Sequence, residues 1–187
     1  MKEKIRKQLR LAREEIKEGD FKRWSEAIVA KLCLQPEYRE AATIHCYVSM
    51  NDRREVDTHH LIKEMMEEGR RVVVPKTQFK EQALLHYSLS AFEDLVLNKW
   101  GVLEPAGGEQ LSEKEIDLVI VPMVGGDERG HRIGYGGGFY DRFLSKVICP
   151  TIGLCFEQNI VAQLPAEPFD IALDKTVTEK RIIHKNN

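Results

Sequence analysis

The sequence predicts an α/β protein with a mostly parallel central sheet, and three observations carry that prediction. Short β-branched or apolar runs alternate with helical segments along the chain, the order that strand–helix crossovers produce. One such run, Ile116-Asp117-Leu118-Val119-Ile120-Val121-Pro122, leads through a short loop into a glycine cluster and a helix start. At 187 residues and 42% hydrophobic, the chain can bury one substantial core, so a single domain over residues 1–187 is expected.

Ile5, Leu9, Ala12 and Ile16 form one stripe of an opening helix, with Lys2, Arg6 and Arg13 along its border. Gly19-Asp20 should break that helix. A second amphipathic helix follows through Phe21, Trp24, Ala27, Ile28, Lys31 and Leu32, ended by Pro36. Thr43 to Ser49 reads as a strand. Asp57 can cap a helix over Thr58 to Glu68, which Gly69 closes. Arg71 to Val74 is a short buried strand stopped by Pro75, and Ala83 to Leu89 a further strand. Ile116 to Val121 feeds the glycine loop, and a helix over 139–146 follows it. Strands are then expected at Thr151 to Phe156 and at Val177 to Ile183. Ligands gather at the carboxyl ends of strands in such sheets, which puts Met50 to Glu55, Pro75-Lys76 and the glycine loop at one rim.

Composition removes several functions. A net charge of −2 gives no reason to expect a nucleic-acid partner. No apolar run approaches the roughly 20 residues that span a bilayer, and Met1-Lys2-Glu3-Lys4-Ile5-Arg6 lacks the apolar centre of a secretory signal. No membrane and a cytoplasmic location are therefore expected, and a monomer is a separate expectation. Cys33, Cys46, Cys149 and Cys155 contain no C-x-x-C pair and are expected as buried free thiols. His59 and His60 diverge on a helix and cannot easily share an ion.

The chemistry concentrates in Gly130-His131-Arg132-Ile133-Gly134-Tyr135-Gly136-Gly137-Gly138-Phe139-Tyr140-Asp141-Arg142. Glycine lets a charged ligand approach the backbone, and successive free N–H groups form a positive concavity suited to phosphate. Neither Gly-Lys-Ser/Thr nor a complete G-x-G-x-x-G is present, since Phe139 stands where the last glycine would be. A surface turn is the bland alternative. Arg132, Tyr135, Asp141 and Arg142 weigh towards a nucleotide phosphate.

Arg-Ile-Gly-Tyr-Gly-Gly-Gly-Phe-Tyr-Asp-Arg resembles the signature of the 5-formyltetrahydrofolate cyclo-ligase family. The resemblance extends to Lys2–Arg10, Tyr47–Thr58, Gly69–Lys76, Trp100–Pro105 and Phe169–Asp174, in order. It implies a three-layer α/β/α fold related to ribose-phosphate isomerase and CoA-transferase domains. It also implies two small-molecule substrates, ATP and 5-formyltetrahydrofolate, with Mg2+ accompanying ATP. By that resemblance Lys2, Arg6, Arg132, Ile133, Gly134, Tyr135, Gly136, Gly137, Gly138, Phe139 and Tyr140 bind ATP, with Lys4 a weaker candidate. Met50, Glu55, Trp100, Tyr135, Phe139 and the three glycines 136–138 would meet the folate. Arg132 and Tyr135 are the catalytic candidates, Asp141 and Asp174 the metal carboxylates, and Lys76 a further phosphate candidate. One departure stands out: Gly126 replaces the family's usual aromatic before Asp127, which predicts a more mobile loop. A phosphosugar isomerase relative and a folate-binding protein without turnover are the alternatives; neither requires both ATP and folate.

Overall fold

The computed structural model describes residues 1–185. Helices α1 (Lys2–Glu14), α2 (Glu18–Cys33) and α3 (Pro36–Glu40) lead into β1 (Thr43–Cys46) and α4 (His59–Glu67). Then come β2 (Arg71–Gln78), β3 (Ala83–Ser88), β4 (Leu95–Leu97), β5 (Leu103–Pro105) and β6 (Gln110–Leu111). The second half holds β7 (Leu118–Pro122), β8 (Gly125–Asp127), β9 (Arg132–Ile133), α5 (Phe139–Leu144) and β10 (Thr151–Leu154). It closes with β11 (Ile160–Val161), β12 (Lys175–Val177) and β13 (Ile182–His184).

The main sheet has eight strands in the order β13-β12-β10-β7-β1-β2-β3-β6. Its centre, from β12 to β2, is parallel, and β13, β3 and β6 add antiparallel edges. Both faces are covered, which is why its central strands are apolar on both sides. Leu118 and Ile120 point into a core shared with Ile28 and Leu32 of α2 and Leu61, Ile62 and Met65 of α4. Val119 and Val121, one residue out of phase, pack with Phe143 and Leu144 of α5. The mostly parallel central sheet is the one the sequence predicts, and helices on both its faces give the α/β/α layering that the resemblance implies.

A second sheet, β11-β8-β9, sits beside the first, and α1 lies across it. Leu9 packs on Val124, Ile133 and Leu164, while buried Asn159 donates to the carbonyls of both Leu9 and Val124 at 2.7 Å. Gly125 makes this close approach possible: a Cβ there would stand 2.5 Å from Leu9 Cδ1 and 2.7 Å from the Asn159 carbonyl oxygen.

Several boundaries differ from the sequence reading. The first break falls at residues 15–17, and Gly19 lies inside α2, because Glu18 and Asp20 suit a helix's first turn. Pro36 starts α3 at its first turn instead of ending α2. The strand from Thr43 ends at Cys46 and that from Thr151 at Leu154, where side-chain and loop hydrogen bonds replace the ladder. Pro75 does not stop β2, which continues to Gln78 by pairing with β3. α5 ends at Leu144. The last expected strand is two, β12 and β13, joined by a turn in which Thr178 bonds Arg181. Gly126 is not in a mobile loop: it is buried in β8, paired on both sides, and a Cβ would meet Met123 Cε at 2.6 Å. An aromatic there would have to displace Met123.

His45 and His86 lie buried beneath α5, ring centroids 5.1 Å apart, with Phe143 at 4.7 and 4.2 Å respectively. Among the described residues, none of their ring nitrogens has a hydrogen-bond partner. Burial therefore holds His45 well below the usual imidazole range, helped by His86, and pushes His86 down to about 4. A folded-state pKa below the unfolded one leaves stability intact above about pH 6.5 and erodes it as pH falls towards 4. Urea unfolding should lose roughly 3 kcal/mol over that window from His86 alone. His86→Leu should flatten the loss by that amount; an unchanged pH profile would show that His86 is not buried neutral.

Candidate active site

The carboxyl ends of β1, β2 and β7 open into a cleft of about 450 Å³, where the strand-end rule places a ligand. Tyr47, Val48, Met50 and Glu55 follow β1, Pro75 and Thr77 come from β2, and Pro122 and Val124 from β7 and its exit. The glycine loop forms one wall and aromatic side chains the opposite rim. Phe79, at the tip of the β2–β3 hairpin, packs on Trp100 and Phe139 with centroids 5.7 and 5.8 Å away. Phe79, Trp100, Tyr135 and Phe169 all keep exposed surface at the mouth, a flat-sided entrance suited to an aromatic ligand.

The glycine loop is shaped by its carbonyls. Arg6 Nε donates to the Gly134 carbonyl at 2.8 Å and Arg142 Nη2 to that of Gly137 at 2.7 Å. Among the described residues, the N–H groups of Tyr135 to Gly138 donate to no protein acceptor. Gly136 and Gly138 have φ of +98° and +65°, backbone that only glycine adopts freely. The result is a row of free amides on residues that line the cleft.

Arg132 lies 6% exposed beneath the loop. Its Nη1 donates to Asp141 Oδ1 at 2.9 Å, while Nε and Nη2 are buried without partners among the described residues. Unmet guanidinium donors are costly in a dry site, so this side chain is set for an anionic ligand. Asp141 Oδ1 also accepts from the Ile171 amide at 3.3 Å, which brings the 167–171 segment against the loop. From that segment Glu167 and Asp170 line the cleft and pair with Lys2.

Glu55 is 3% exposed yet lines the cleft. Its Oε2 accepts from the Met50 amide and its Oε1 from the Tyr135 hydroxyl, both at 2.7 Å. Arg13 Nη2 donates to the same hydroxyl at 2.6 Å, and Nη1 to the Met123 carbonyl at 3.1 Å. Burial raises the Glu55 carboxyl, and Arg13, the Met50 amide, Tyr135 and Arg53 oppose that rise.

The structure thus brings together Lys2, Arg6, Met50, Glu55, Trp100, Arg132, Gly134, Tyr135, Gly136, Gly137, Gly138, Phe139, Tyr140 and Asp141. Four expected residues lie elsewhere. Lys4 is exposed on the outer side of α1. Ile133 is fully buried in β9 against Leu9 and offers no side chain to the cleft. Lys76 donates to the Ala106 carbonyl and lies over the Tyr87 ring. Asp174 accepts from the Thr151 amide and hydroxyl at 2.9 Å, at the amino end of β10. In a parallel sheet that is the end away from the cleft, and the carboxylate from this segment that reaches the site is Asp170. Arg13, Arg53, Phe79, Glu167 and Asp170 were not singled out from sequence. Arg13 had left a signal as a cation on the border of the α1 stripe, and Arg53 and Asp170 lie in segments that carry the resemblance.

Free amides, guanidinium nitrogens without partners among the described residues and a buried carboxylate around one cleft define a site for anionic small molecules. The chain belongs to the 5-formyltetrahydrofolate cyclo-ligase family, whose model matches residues 1–179. It is 31% identical over 158 residues to the 5-formyltetrahydrofolate cyclo-ligase of Escherichia coli (strain K12), covering 81% of this chain and 86% of that one. The Mus musculus 5-formyltetrahydrofolate cyclo-ligase is 28% identical over 170 residues, with 84% and 83% covered. The NMR structure of Aquifex aeolicus 5,10-methenyltetrahydrofolate synthetase matches with a TM-score of 0.88 at 28% identity, covering 100% of this chain and 93% of that one.

A Cβ at Gly136 would stand 3.2 Å from the Arg6 guanidinium on left-handed backbone. Gly136→Ala should therefore weaken ATP binding by about tenfold or more in calorimetric titration, from distorted amides and a displaced Arg6. Unchanged ATP affinity would remove the loop from the phosphate site.

Proposed function

We propose that the chain converts ATP and 5-formyltetrahydrofolate into ADP, phosphate and 5,10-methenyltetrahydrofolate. One observation carries the reading beyond family membership: Tyr135 belongs to the glycine loop and its hydroxyl donates to Glu55. The phosphate wall and the carboxylate suited to a pterin therefore share a single side chain. A pterin's amide and amine present paired donors, and a carboxylate accepts both.

The formyl oxygen of an amide is a poor leaving group. In the proposed first step that oxygen attacks the γ-phosphorus, and the bond to the ADP bridging oxygen breaks. N10 then adds to the formyl carbon and loses its proton, and the C–O bond breaks as phosphate departs. Phosphoryl transfer needs alignment and charge neutralisation more than covalent help. The amides of residues 135–138 and the free nitrogens of Arg132 would take the phosphate oxygens, with Arg6 and Lys2 beside them from α1. Tyr135 would stand between the two substrates, and Trp100, Phe79 and Phe139 would flank the folate rings.

Mg2+ fits the carboxylates present. It takes one or two of them plus phosphate oxygens; Asp141 has an Oδ2 without a partner among the described residues, and Asp170 lines the same cleft. These two would hold the ion, which when bound would offset phosphate charge. A monomer in the cytoplasm, with residues 1–187 as one catalytic domain, completes the proposal; four free cysteines suit a reducing compartment.

Purified protein given 5-formyltetrahydrofolate, magnesium and ATP should generate the methenyl absorption band, and none without ATP. A flat trace with both substrates bound would overturn the proposal. Asp141→Asn should lower kcat by about a hundredfold, an electrostatic loss of about 2.7 kcal/mol, and leave folate affinity unchanged; equal losses in both would contradict the metal role.

A further inference from the structure

We infer that Arg13 is a positioning residue of the folate subsite, directing the Tyr135 hydroxyl proton onto Glu55 and leaving that carboxylate an acceptor for the substrate. The family resemblance supplied Lys2 and Arg6 on the same helix, but gave Arg13 no role. Its setting is unlike theirs. Lys2 and Arg6 reach the cleft from the helix end, whereas Arg13 is 2% exposed, one of the largest fully buried side chains. A buried guanidinium that served packing alone would be expensive.

The direction of the relay follows from which groups can donate. A guanidinium has only donors, so Arg13 Nη2 must give its proton to the Tyr135 oxygen, 2.6 Å away. That leaves the phenol's single proton for Glu55 Oε1, at 2.7 Å. The Met50 amide is also only a donor and takes Oε2, at 2.7 Å. Both carboxyl oxygens thus accept, the pattern of an ionised carboxylate. Without the arginine, the hydroxyl can turn, and nothing fixes its proton on Glu55.

Arg13 also balances charge. The charged and titratable groups facing Glu55 are Arg13 from α1, Arg53 from its own loop, Tyr135 from the glycine loop, Tyr47 after β1 and Tyr140 from α5. Among the described residues, the two arginines favour the anion by charge, and Arg13 is the stronger and the buried one. Arg53 lies over the Tyr135 ring, 5.8 Å from its centroid, on the side open to the cleft. Since burial raises the Glu55 carboxyl, loss of Arg13 moves its titration upwards, and folate binding that needs the anion is lost at higher pH than in the wild type.

The inference rests on the proposed reaction only in naming folate as the ligand. Its test needs no turnover. Protein labelled with 13Cδ-glutamate would be titrated by NMR, with the Glu55 resonance identified by its absence in Glu55→Gln. Arg13→Met, which keeps the length of the side chain and removes its charge, should move the Glu55 midpoint to higher pH. It should also weaken 5-formyltetrahydrofolate binding at neutral pH by about tenfold or more, the worth of a charge-assisted hydrogen bond, with ATP affinity unchanged. Folate binding to this variant should recover as pH rises, which a packing defect would not produce. Identical midpoints in wild type and variant would overturn the inference. Should Arg13→Met fail to fold, Tyr135→Phe breaks the same relay with the arginine in place; it too must raise the midpoint, and no change there would equally overturn it. The NMR midpoint decides the inference and the methenyl assay decides the reaction, so the two fail separately.

Discussion

A glycine loop is useful for phosphate only while its amides stay free, and here two arginines keep them so. Arg6 and Arg142 take the carbonyls of Gly134 and Gly137, which fixes the peptide planes without using any N–H between them. Gly136 and Gly138 supply the positive φ values that this path of the backbone takes. The loop's position then depends on what holds the arginines. Arg142 belongs to α5, anchored by Phe143 and Leu144 in the core under the sheet. Arg6 belongs to α1, which is held over the small sheet by Leu9 and by Asn159.

This explains why α1 is part of the site although it lies outside the α/β/α layers. The helix crosses β8 where Gly125 leaves room, and its charged border faces the cleft at three levels. Lys2 meets Glu167 and Asp170, Arg6 meets the glycine loop, and Arg13 meets Tyr135. A displacement of α1 would therefore disturb Asp170, the glycine loop and the Tyr135–Glu55 pair together, the groups proposed for metal, phosphate and folate. Gly126, buried in the adjacent β8 against Met123 and Ile160, belongs to the same constraint: the smaller residue lets those two side chains close the packing.

The fold class was legible because central parallel strands must be apolar on both faces, and Ile116 to Val121 says so plainly. The glycine loop was legible because four glycines in five residues have few other uses. Strands β4 to β6, β8, β9 and β11 were not, since two or three residues carry no period and their pairing is decided by tertiary contacts. Arg13 shows a subtler limit: sequence placed it on the border of the right helical stripe, but burial and a tyrosine partner 122 residues away are properties of the fold alone. Asp174 was misplaced for the opposite reason. Two aspartates four residues apart look equivalent in sequence, yet one faces the cleft and the other caps Thr151 at the far end of its strand.

The central claim is that this cleft brings a nucleotide's terminal phosphate onto the formyl oxygen of a folate. Isotope transfer tests it most directly. With 5-formyltetrahydrofolate carrying 18O in the formyl group, turnover should deliver the label into the released phosphate, one atom per methenyl product. Label appearing in water, with unlabelled phosphate, would mean that the formyl oxygen is never phosphorylated, and would contradict the account.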